Sequence, residues 1–175
     1  MISGKYLKDY RLEEQIDSSG RARTKAVYIG GDYGLSPVFS KNEKLIFLLM
    51  SLLSCVSLII ALIPHSQAAR TTYVILPFVF SSLPLFIMSA SAFSLFKAKD
   101  IMKREQAQRI ANRLPAGALT TAILNGAAFT AQIITLSLQP DLIQPGDISF
   151  SFLSLIITAL ATFILIKTRS IKAIN

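Results

Sequence analysis

Apolar positions dominate the chain in long stretches from which charge is missing. No charged residue lies between Lys44 and Arg70, Arg70 and Lys97, Arg113 and Asp141, or Asp147 and Lys167. Within these windows Leu45–Ile63 and Ile148–Ile166 are 19 residues each, Thr71–Phe96 is 26 and Leu114–Pro140 is 27. At ~1.5 Å rise per residue, ~20 residues cross the ~30 Å hydrocarbon core of a bilayer, so each window crosses once and none crosses twice. Helices buried in a soluble bundle keep a polar stripe, whereas these windows are apolar on nearly every face. The pattern predicts an all-α membrane protein with four transmembrane helices arranged as two helical hairpins. The expected spans cover about 45–63, 72–96, 117–138 and 148–166, joined in the middle by a linker over 97–116. They form a transmembrane domain over 41–175, behind a polar segment over 1–40.

That N-terminal segment has a different period. Asp17-Ser18-Ser19-Gly20 is a turn cluster, and counting outward from it sets a register. Glu13 then faces Lys25, Gln15 faces Arg23 and Arg11 faces Val27 on one side, while Tyr10 meets Tyr28, Leu12 meets Ala26 and Ile16 meets Ala22 on the other. Slipping by one residue would misalign the opposite-charge pairs, so a β-hairpin over about 8–30 is predicted. Glu14 interrupts its apolar side. A lone two-stranded hairpin is marginal in water, so the strip of Tyr10, Leu12, Ile16 and Tyr28 is expected to lie on a surface: the bilayer interface, the middle loop or a partner. Gly30-Gly31-Asp32-Tyr33-Gly34 follows no Walker pattern and reads as a flexible connector. Ser40 with Glu43 three residues on is a capping box that starts the first helix.

The third span carries the clearest internal pattern. Gly117, Thr121, Asn125, Ala128, Gln132 and Thr135 recur at helical spacing and share one face. The fourth span answers with Ser151, Ser154, Thr158 and Thr162, and the first with Ser51, Ser54 and Ser57 beside the lone Cys55. Amides are costly in hydrocarbon unless paired, so Asn125 and Gln132 should face another helix or a wet cavity. The stripes are either packing seams or a hydrophilic pathway, and the absence of an ionisable residue from them favours packing. In the second span Pro84 lies near the middle and is expected to kink the helix. The linker composition favours helix, but its apolar residues fall on two opposite faces. A continuation of the second helix, then a break before Pro115 and the third span, is expected.

Composition agrees with the pattern: 52% of residues are hydrophobic and only 16% charged, against about 25% in a typical soluble domain. Of 18 basic residues, eight precede the first span, six occupy the middle linker, three follow the last span, and the two remaining loops share only Arg70. This bias predicts both termini and the middle linker in the cytoplasm, with the protein multi-pass in its membrane. The net charge of +8 is thereby topological. It calls for anionic lipid rather than nucleic acid as the partner.

Candidate catalytic chemistry is missing. His65 is the one histidine, Cys55 the one cysteine, and neither has a companion to share a metal. Asp141 and Asp147 in the outer loop read as turn formers and helix caps. No catalytic residue, metal or cofactor is expected. The run of Lys5–Tyr10 with Arg11–Glu14, a Ser-Gly turn and Lys25-Ala26-Val27-Tyr28-Ile29-Gly30, together with Arg70–Pro84, resembles small uncharacterised four-span membrane proteins of clostridial-type bacteria. The resemblance implies four spans and no activity. The functional expectation is a non-enzymatic accessory or interaction subunit that meets the bilayer and a protein partner through the hairpin and basic loop. The alternative is a small transporter or channel, a homo-oligomer lined by the Asn125–Gln132 face.

Overall fold

A computed structural model describes residues 8–16, 22–63, 66, 71–99, 101–140 and 143–174. The Asp17–Gly20 turn, His65, Arg70 and Asp141 lie outside the described residues. The element order is β1 (Tyr10–Ile16), β2 (Ala22–Tyr28), β3 (Gly34–Ser36), α1 (Lys41–Ala61), α2 (Thr72–Phe80), α3 (Ser82–Lys97), α4 (Arg104–Leu138), α5 (Pro145–Thr168) and β4 (Lys172–Ile174). Among the described residues four helical units are long and apolar enough to cross a membrane: α1, α2 with α3, α4, and α5.

Local chemistry sets the helix boundaries. Ser40 caps α1 as read from sequence: its backbone N–H donates to Glu43 Oε2 at 2.8 Å, and the Glu43 N–H donates to Ser40 Oγ at 3.2 Å. The second span divides at Ser81 into α2 and α3, with Ser81 itself keeping helical dihedrals. Pro84 has no N–H for the carbonyl of Phe80, so the ladder is interrupted one turn before the ring. The linker differs from expectation. α3 stops at Lys97, and the extra helix belongs to the third unit, where α4 runs unbroken from Arg104 through Pro115. A 35-residue helix is about 52 Å long, well beyond the ~30 Å hydrocarbon core of a bilayer, and its charged residues are confined to the turns from Arg104 to Arg113. Pro115 follows Arg113, the last charged residue of α4, and opens its apolar stretch.

In the bundle α1 packs on α3 and α5, while α4 packs on α5, α3 and α2. The α4 and α3 backbones approach closely at Gly117, where an added Cβ would lie 3.0 Å from both the Pro84 carbonyl oxygen and the Met88 nitrogen. Only a residue without a side chain lets α4 come this near the α3 backbone. The bundle has an apolar core that includes Phe78, Leu85, Met88, Phe150 and Ile157, yet it also buries polar side chains and leaves large apolar ones outside. Ser51, Ser54, Ser57, Thr121, Asn125, Gln132 and Ser154 are buried, whereas Ile59, Leu83, Phe86, Ile123, Phe152 and Ile166 are exposed. A continuous belt of large apolar side chains facing out, around a core seeded with hydroxyls and amides, is suited to a lipid surround.

The N-terminal segment, the α3–α4 loop and the segment after α5 meet at one end of the bundle. β1 and β2 pair antiparallel with Tyr10 opposite Tyr28, Leu12 opposite Ala26 and Glu13 opposite Lys25, the register counted from the sequence. The stretch after the hairpin is not a free connector. Tyr33 bridges Met102 through reciprocal backbone bonds of 3.1 and 2.9 Å, and Gly34–Ser36 pairs antiparallel with Lys172–Ile174. Leu35, Phe39, Met102 and Ile171 are buried beneath these pairings. Lys44 Nζ adds a 3.1 Å bond to the Ala98 carbonyl.

Candidate functional sites: the polar core and the docked hairpin

The stripe on α4 faces inward along its whole length: Gly117, Thr121, Asn125, Ala128, Gln132 and Thr135 are all buried. Its 3-and-4 spacing holds these positions on one line of the helix, and α5, α3 and α2 cover that line. Direct bonds cross the seams. Ser154 Oγ donates to the Asn125 carbonyl at 3.3 Å, Gln132 Nε2 donates to the Asp147 carbonyl at 2.8 Å, and Thr135 Oγ1 donates to Tyr73 Oη at 3.1 Å. Asn125 Nδ2 reaches the Thr121 carbonyl at 3.4 Å. Three buried oxygens on this line have no partner among the described residues: Thr121 Oγ1, Asn125 Oδ1 and Gln132 Oε1.

The matching stripe on α5 turns outward along the helix. Ser154 is buried, Ser151 and Thr158 are half-buried, and Thr162 is exposed. Ser151, Thr158 and Thr162 return their hydroxyls to their own helix, to the carbonyls of Asp147, Ser154 and Thr158. On α1 the seam is shared with α3, where Ser89 Oγ lies 3.2 Å from Cys55 Sγ and 3.4 Å from the Ser51 carbonyl.

Asp147 is the residue that pattern reading undervalued. It caps α5, its Oδ2 accepting from the Gln144 N–H at 2.9 Å, but it is also fully buried. Its other carboxylate oxygen accepts from the buried Ser66 hydroxyl, which ties the loop after α1 to the start of α5. A charge in the first helical turn reads as a solvated cap, and only the distant contact with Ser66 reveals otherwise.

The hairpin docks by its open end. The rings of Tyr10 and Tyr28 meet edge-to-face at 5.3 Å, and Lys103 Nζ stands 5.5 and 5.4 Å from their centroids. Tyr28 Oη donates to the Gly31 carbonyl at 3.0 Å and accepts from the Arg104 N–H at 3.1 Å. The Arg104 guanidinium lies 3.8 Å from the Asp9 carboxylate and 5.7 Å from the Tyr33 ring. Of the expected contact strip, Tyr10 and Tyr28 are thus brought to the middle loop. Leu12 is not: it is 72% exposed, because the strands run outward from this root. The side chain of Ile16 lies outside the described residues.

Among the described residues no group of histidine, cysteine, aspartate or glutamate is arranged to hold a metal. No protein-family model, curated protein or solved structure matches the chain.

Proposed function

We propose that this is a non-enzymatic integral protein of the bacterial cytoplasmic membrane, multi-pass with both termini in the cytoplasm, which serves as an accessory or interaction subunit. The observation that carries the reading is the hairpin. It is fastened at its root by Tyr28 on Arg104, while Arg11, Leu12, Glu13 and Glu14 stand exposed beyond it. Strands with open edges and one exposed leucine offer a protein partner backbone pairing and an apolar anchor. Crosslinking followed by affinity purification tests it. Leu12→Asp should cut recovery of the crosslinked partner without changing the yield of the chain, and undiminished recovery would count against the reading.

The unpartnered oxygens of Thr121, Asn125 and Gln132 favour a second reading, a small oligomeric transporter or channel with this face along the route. The close Gly117 crossing and the direct Ser154–Asn125 and Gln132–Asp147 bonds weigh toward packing. Asn125→Leu with Gln132→Leu separates the two. As a packing seam the pair changes thermal stability by about 1–3 kcal/mol and no flux. As a pathway it changes solute flux in proteoliposomes while stability holds.

A further inference from the structure

A cleft of about 380 Å3 opens where α3 ends and α4 begins, lined by Phe93, Lys97, Lys103, Glu105, Arg109 and Ile110, among others. Its size falls in the usual range for small-molecule sites, about 300–1,000 Å3. Three of these residues are cations and one is an anion. Glu105 is already engaged by Arg109 at 2.6 Å, one turn along α4, so the cleft is cationic on balance. The cations are of two kinds, two lysine ammonium groups and one planar arginine fork, a combination suited to phosphate oxygens.

The other half of the cleft is apolar. Lys97 Nζ lies 4.3 Å from the Phe93 ring centroid, so charge and aromatic face adjoin directly. Phe93 is half exposed, and its face of α3 continues outward-facing through Ala90 and Phe86 to Leu83, at spacings of three and four residues. This track leads from the cations along the apolar surface of the bundle. A soluble phosphate ester uses only the charged half. A ligand with a phosphate at one end and hydrocarbon at the other uses both.

We propose that this cleft binds an acidic glycerophospholipid, with its phosphodiester held by Lys97, Lys103 and Arg109 and an acyl chain lying along Phe93 and Phe86. The assignment rests on the membrane reading above. It places the cleft at the cytoplasmic face, where anionic lipid is enriched.

Native mass spectrometry of the full chain in neutral detergent, with phosphatidylglycerol and phosphatidylcholine as probes, tests it. The chain should retain one phosphatidylglycerol in preference to phosphatidylcholine by about tenfold, or ~1.4 kcal/mol. Lys97→Gln with Arg109→Gln removes two cleft charges and spares Lys103, which also faces the hairpin tyrosines; it should abolish the preference. Lys41→Gln with Arg169→Gln removes the same charge elsewhere and should leave it intact. Phe93→Ser keeps every charge and should lower retention, so the result does not depend on one variant folding. Equal retention of both lipids, an equal loss in the Lys41/Arg169 control, or unchanged retention in the cleft variants would overturn the proposal. Displacement of the lipid by glycerol 3-phosphate would overturn it in favour of a soluble phosphate ester. Alkaline carbonate extraction of cell membranes tests the underlying reading separately: release of the chain would defeat membrane insertion whatever the lipid assay shows.

Discussion

Two glycines on α4 separate what a small residue does for packing from what it costs the helix. At Gly117 a Cβ would press on the α3 backbone at 3.0 Å, and backbone cannot swing aside. At Gly126 it would meet a Thr158 methyl at 3.7 Å, an ordinary contact. Alanine improves helix propensity by up to ~1 kcal/mol at either site, while overpacking a tight crossing costs about 1–3 kcal/mol. Gly126→Ala should therefore be neutral or stabilising and Gly117→Ala destabilising, as read by thermal unfolding in detergent. Asp147 poses the converse case. Asp147→Ala strips acceptors from Ser66 and from the Gln144 N–H in a buried place, and should destabilise by about 1–3 kcal/mol in the same assay. A loss near zero would mean that water replaces the carboxylate.

At the scale of elements, the hairpin is held at its root by Tyr28 together with the Asp9–Arg104 and Tyr10–Lys103 contacts. Gly30 makes room for Tyr28, since a Cβ there would fall 2.5 Å from Tyr28 Oη. Tyr28→Phe keeps the ring beside Tyr10 and removes both hydroxyl bonds, a change worth about 0.5–1.5 kcal/mol. Hydrogen exchange should then quicken at Ile29 and Gly30, whose amides bond to the Asp9 carbonyl, with the helices unaffected. Exchange unchanged at those amides would place the hold elsewhere. The register of this hairpin was legible because its partners lie within twenty residues and alternate in charge across a turn. β3 and β4 were not legible. Each is three residues long, and pairing Gly34 with Ile174 leaves no local trace in either segment. The linker fell between these cases. Its helical composition was plain, but whether the helix continued α3 or began α4 depended on packing around Met102 and Ala107 that no periodicity records.

For the whole molecule, the inward stripe of α4 was legible for a physical reason: amides and small residues in an otherwise apolar helix have nowhere else to go. The burial of Asp147 and the three-way junction at the basic end were not, because they are meetings of loops far apart in sequence. With Cys55 replaced by alanine, a membrane-impermeant maleimide should label Gln139→Cys on intact cells and Lys99→Cys only after permeabilisation. The reverse pattern would invert the orientation. The β3–β4 pairing adds a constraint in time. Strand β3 is synthesised before any helix, yet its partner leaves the ribosome only after α5, so the junction closes last. In a nascent chain halted before Lys172, Gly34–Ser36 should therefore stay open to protease, and protection of that segment at this stage would show that β4 is not what covers it.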